Sequence, residues 1–123
     1  MTTVADVMSR DILTVQPDAT LGQVARALRA RNVGSALVTD EAGRPVGIIS
    51  ERELVDSVAG SRNPDIGVAE SWMRADPVTV ESSSALADAS ELMRETNVRH
   101  LPVTDGGVVV GVVSIRDLLN AAM

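Results

Sequence analysis

The sequence predicts an α/β (α+β) fold built from two tandem β-α-β-β-α repeats. Three observations predict it. The chain matches itself at a shift of 65 residues, becoming 64 after one deletion in the second hairpin turn. Apolar residues recur at helical spacing in the same place in each copy, and short Val- and Ile-rich segments bounded by Gly, Asp or Asn read as strands. On the shift, Met8 meets Met73, Asp11 meets Asp76, Thr14-Val15 meets Thr79-Val80, Asn32-Val33 meets Asn97-Val98, and Val38-Thr39-Asp40 meets Val103-Thr104-Asp105. Past the deletion, Val46-Gly47 meets Val110-Gly111, Ser50 meets Ser114, Arg52 meets Arg116 and Leu54 meets Leu118. The order of matches holds along both copies, which fixes the domain organisation as repeat 1 at 1–60, a linker at 61–67 and repeat 2 at 68–123.

Each copy reads the same way. Thr3-x-x-Asp6 is a helix start, giving a short lead-in helix to about Met8. Ile12 to Val15 is a β segment, followed by a loop through Pro17. Leu21, Val24, Ala25 and Leu28 form one apolar helix face, ended by Asn32 and Gly34. Ser35 to Thr39 is a strand, Asp40 to Gly43 a turn, Val46 to Ile49 a second strand, and Ser50 opens a helix through Leu54 and Val58. In the second copy the β segment falls near Val78–Val80 and the first helix carries Leu86, Ala89 and Met93. A strand at Leu101–Thr104, the tight turn Asp105-Gly106-Gly107, a strand at Val108–Val113 and a helix through Leu118 and Leu119 complete it. A repeat of about 60 residues buries only ~60% of its unfolded surface, so each half is expected to need the other.

Composition narrows the function. A net charge of −6 disfavours general binding to nucleic acid or anionic membranes, which attract basic surfaces. The absence of cysteine excludes disulfides, thiolate chemistry and Cys-based metal sites. His100 is the sole histidine, so the sequence predicts no metal site. No signal peptide and no apolar run of spanning length is read, so the expected location is cytoplasmic. Every basic residue besides His100 is arginine, and Trp72 is the single aromatic residue. A planar ligand would therefore lie between aliphatic side chains. No nucleophile–base pair or Walker-type loop is present, and the chain is expected not to be an enzyme.

The element that could carry ligand chemistry is Gly-x-x-Ser-x-x-acid, present as Gly47 to Glu53 and as Gly111 to Asp117. In each, a strand ends at a serine that opens a helix. The free N–H groups and dipole there favour an anion, the hydroxyl can donate to a phosphate, and the carboxylate one turn later can accept from ribose hydroxyls. The same letters also spell a capping box, which needs no ligand, and the glycine also fits a close approach of backbone to a neighbouring element. His100 fits a structural role as well as a ligand contact, Arg99 fits a surface ion pair, and Trp72 fits a core or a subunit interface.

The segments Met73 to Val80 (Met-Arg-Ala-Asp-Pro-Val-Thr-Val), Asn97 to Val103 (Asn-Val-Arg-His-Leu-Pro-Val) and Gly111 to Leu118 (Gly-Val-Val-Ser-Ile-Arg-Asp-Leu) give the repeat a name. It resembles the CBS domain, of the cystathionine β-synthase type, and the tandem pair resembles a Bateman module. The resemblance implies pseudo-twofold symmetry, sheets packed together with helices outside, and clefts between the repeats that take AMP, ADP, ATP or S-adenosylmethionine. Carried over by position, Asp117 would hold ribose hydroxyls and Ser114 a phosphate. Pro77-Val78 and Val98 with Leu101 would line the base, partly through backbone, with Pro102 in the same segment. Arg99, His100 and Arg116 would face phosphates, and Asp76 and Ser50 would contribute across the cleft. The first copy departs from the pattern: Glu53 stands in place of the aspartate and Gly34-Ser35 in place of Arg-His, so its site is the weaker one.

The resulting expectation is a regulatory module that senses an adenosine nucleotide between two repeats and relays it to a partner protein. It would need no cofactor and would pair into a homodimer. The alternative is a ligand-free CBS scaffold or protein-interaction module.

Overall fold

The computed structural model describes residues 1–122; the end of the second repeat at Met123 lies outside the described residues. In chain order the elements are α1 (Val4–Val7), β1 (Thr14–Val15), α2 (Leu21–Arg31), β2 (Ser35–Thr39), β3 (Pro45–Ser50), α3 (Glu51–Ala59) and α4 (Ala69–Trp72). They continue with β4 (Arg74–Ala75), β5 (Val80–Glu81), α5 (Leu86–Thr96), β6 (His100–Asp105), β7 (Val108–Ser114) and α6 (Ile115–Ala121). The mixed α/β class and the repeated element order are those predicted.

Compactness does not follow the repeat boundaries. The first unit joins Met1–Ile12 to the chain from Val78 onward, and the second is Leu13–Pro77. Each unit therefore takes its lead-in helix from the other repeat. In the first unit the Val4 N–H donates to Ser84 O at 2.9 Å, Thr3 bridges Ala85, and Val4 is fully buried in the core with Val80, Ala89, Leu101, Val103 and Val113. In the second unit the Ala69 N–H donates to Ala19 O at 2.8 Å, and Ala69 and Trp72 pack with Leu21, Val24, Leu28, Val38 and Ile49. The lone tryptophan is thus half-buried against this core.

The second unit's sheet runs β1-β2-β3-β4 and the first unit's β5-β6-β7. β1 with β2 and β5 with β6 are parallel; β2 with β3 and β6 with β7 are antiparallel hairpins, with a register shift at Val38/Thr39 and again at Val103/Thr104. The shorter turn of the second hairpin is closed by Gly106 and Gly107 at φ 60° and 86°, the backbone that a tight hairpin turn of this kind demands.

Four local expectations shift. The β segment expected at Ile12–Val15 covers Thr14–Val15, the two residues that pair with β2. Ala25 is exposed, because the buried stripe of α2 narrows to Leu21, Gly22, Val24 and Leu28. The strand expected near Val78 starts at Val80. In the second unit the Leu37 N–H donates to Leu13 O at 2.8 Å, but the equivalent residue is Pro102, which has no N–H for Val78. β4, two residues long, was not expected; it exists because Arg74 and Ala75 pair with Ile48 and Gly47.

Caps behave as read. Asn32 and Asn97 end α2 and α5 in the left-handed conformation at φ 53° and 56°. Asn97→Gly is therefore expected to leave stability nearly unchanged and Asn97→Val to cost about 1–2 kcal/mol, measured by denaturant unfolding. Thr3 N–H donates to Asp6 Oδ2 at 2.7 Å, and this backbone bond, then the Thr3 hydroxyl, holds the Asp6 carboxyl below its ordinary 3.8. A depressed value means the contribution is complete above 3.8 and is lost as pH falls through the folded-state value. Amide protection across α1 should consequently drop below that pH while remaining flat above it, as hydrogen exchange would register.

Candidate functional site

The two Gly-x-x-Ser-x-x-acid elements have different internal chemistry. Both glycines answer to close packing. A Cβ on Gly111 would lie 2.6 Å from Met8 Sδ and 2.7 Å from Ser9 O, and one on Gly47 would lie 2.9 Å from Arg74 O and collide with Met73 Sδ. Both serines are N-caps within capping boxes. The ligand-free reading of these letters is therefore realised in both copies, and what remains for a guest depends on the groups left over.

In the first box the Ser50 N–H and the Ser50 hydroxyl both donate to Glu53 Oε1, at 2.7 and 2.8 Å. Glu53 is 7% exposed, and its Oε2 faces Arg74 Nε at 3.9 Å. The hydroxyl proton and Oε1 of this box are thus hydrogen-bonded, while Oε2 has only the longer charge contact with Arg74.

The second box is more open. Ser114 N–H donates to Asp117 Oδ2 at 2.9 Å, and the Asp117 N–H donates to Ser114 Oγ at 3.1 Å. Here the serine oxygen accepts, so its O–H remains available to donate, and Asp117 Oδ1 has no hydrogen bond among the described residues. Nor does Asp117 form an ion pair among them. Both residues are half-buried.

The first unit's hairpin gathers the other predicted residues of repeat 2 at this end. His100 stands opposite Ser114 across β6 and β7, and the Ile115 N–H donates to Arg99 O at 2.9 Å, tying the start of α6 to the segment before β6. Arg99 and Arg116 are exposed, His100 half-buried. Val98 is half-buried and Val78 41% exposed, whereas Leu101 is wholly committed to the core of its unit and Pro102 is fully buried. Leu101 could thus meet a base only through backbone. Asp76 and Pro77 belong to the second unit, with Ser50 and Glu53. Asp76 is exposed with φ 49°, and its N–H donates to Val46 O at 3.4 Å.

Arg74 is the participant that sequence reasoning missed. The available signal was the self-match itself: Ser9 stands where Arg74 does, but the copies differ in charge at many aligned positions, so the letters did not single this one out. A hollow of about 410 Å³ in the first unit holds none of the predicted residues, and its lining of Glu81, Asp88, Glu91 and Glu95 opposes a phosphorylated guest. Among the described residues no group of three or more His, Cys, Asp or Glu could hold a metal ion. No helix among them is long and apolar enough to cross a membrane.

The chain is similar to a Methanopyrus kandleri protein, 34% identical over 119 residues; the match covers 95% of this chain and 61% of that one, so this chain spans less than two thirds of that relative. It is similar to the crystal structure of a CBS-domain protein from Agrobacterium tumefaciens (33% identity, TM-score 0.92, covering 99% and 94% of the two chains). It is also similar to a CBS-domain protein of Pyrobaculum aerophilum, complexed with AMP (33% identity, TM-score 0.86, 98% of each chain). The CBS-domain pattern itself matches residues 4–60 and 68–123, both repeats nearly end to end, and the chain accordingly belongs to the CBS-domain family.

Proposed function

We propose that this chain is a non-enzymatic ligand-sensing module that takes an adenosine nucleotide at the box of its second repeat. One observation carries the reading: among the described residues, only the second box has a serine hydroxyl proton not donated to its own carboxylate and a carboxylate oxygen with neither a hydrogen bond nor an ion pair. A ribose presents hydroxyl donors that suit Asp117 Oδ1, and a phosphate presents acceptors that suit the Ser114 O–H. Arg99, His100 and Arg116 would supply positive charge to that phosphate. Val98 and Val78 would flank the base, with the Val78 carbonyl lacking the ladder bond that Leu13 receives. The AMP complex of the Pyrobaculum relative supports the ligand class.

On this reading the repeats 1–60 and 68–123 are the functional copies, joined by 61–67. The nucleotide acts by binding one arrangement of the protein more tightly than another, which a cytoplasmic partner protein then reads. A second copy of the chain is the expected dimer partner; exposed Val55 and Val58 on α3 and Leu119 on α6 support it.

The rival reading is a scaffold that keeps the fold and takes no ligand. It is favoured by the fact that both boxes are satisfied caps without a guest. Thermal unfolding with AMP, ADP, ATP and S-adenosylmethionine separates the two. A ligand present at ~100 times its dissociation constant should add about 2.7 kcal/mol of apparent stability. Unchanged melting with all of them at millimolar concentration would leave the scaffold.

A further inference from the structure

We infer that Arg74 closes the first repeat's box and so limits the chain to one nucleotide; this rests on the functional reading above. The two units present the same register position to the two boxes. Arg74 pairs with Ile48 on β3, and Ser9 bridges Val112 on β7, residues that correspond between the repeats. In the second unit that position carries a guanidinium, in the first a short uncharged hydroxyl.

The consequence is electrostatic. The Glu53 side chain is 9% exposed, and a carboxylate so far removed from water needs compensation. Ser50 supplies it at Oε1 with two donors, and Arg74 supplies it at Oε2 from 3.9 Å. Ribose hydroxyls would have to take the place of a guanidinium with neutral groups, at a carboxylate whose other oxygen already accepts two hydrogen bonds. Asp117, with no cation partner among the described residues, asks for no such exchange. The extra methylene of Glu53 is then secondary; the arginine is the specificity-determining residue.

Calorimetric titration with AMP tests this. Wild-type protein should take up one AMP per chain and Glu53→Asp still one, because shortening the side chain leaves the arginine in place. Arg74→Ser should take up two, and Arg74→Lys, which keeps the charge, one. Should Arg74→Ser fold poorly, Arg74→Gln keeps the length without the charge and must likewise bind two. Uptake that stays at one in Arg74→Ser or in Arg74→Gln would overturn the inference alone, as would a second site in Glu53→Asp. No AMP uptake by the wild-type protein would remove the functional reading and this inference with it.

Discussion

Replacing Gly111 with valine is expected to destabilise the protein by about 1–3 kcal/mol, with alanine at the lower end of that range. The reason is the segment that lies over β7. A Cβ at Gly111 meets Met8 Sδ at 2.6 Å and Ser9 O at 2.7 Å. The thioether can swing away, but the carbonyl cannot, since Ser9 is held by its N–H to Val112 O at 2.9 Å and by the Val112 N–H to Ser9 O at 3.0 Å. Relief therefore requires breaking this bridge. The loss should appear as a lower denaturation midpoint together with faster hydrogen exchange at Ser9 and Val112. Gly106 offers the contrast: nothing lies within 4 Å of a Cβ there, so alanine would suffer only from φ 60°. An unchanged midpoint in Gly111→Ala would refute the packing account.

The second large effect separates the two carboxylates. Asp117→Ala should cost about 1 kcal/mol of ligand-free stability through the lost cap, and should also abolish the roughly 2.7 kcal/mol that saturating nucleotide adds. Glu53→Ala should do the reverse. It leaves a half-buried serine N–H and hydroxyl without their acceptor, a penalty toward the lower end of about 1–3 kcal/mol, yet the nucleotide-induced gain should survive. Melting curves of both variants with and without AMP give all four values. If Glu53→Ala loses the gain and Asp117→Ala keeps it, the nucleotide sits at the other box.

What could be read from the letters alone was whatever is local or repeated. The capping boxes at Thr3, Ser50 and Ser114, the left-handed stops at Asn32 and Asn97 and the Asp105-Gly106-Gly107 turn each depend on residues within four positions of one another. The self-match added the element order, the family resemblance and the contrast between Glu53 and Asp117.

Tertiary structure decided the rest, because it turns on which distant segments meet. No spacing rule places Thr3 beside Ala85 or Thr20 beside Val68, so the exchange of lead-in helices between the compact units was invisible. A two-residue strand such as β4 has no periodicity to detect; it forms only where β3 offers an unpaired edge. The state of each box was likewise beyond the motif. Whether a carboxylate faces an arginine is settled by the strand packed alongside, and that strand comes from beyond the repeat's own boundary.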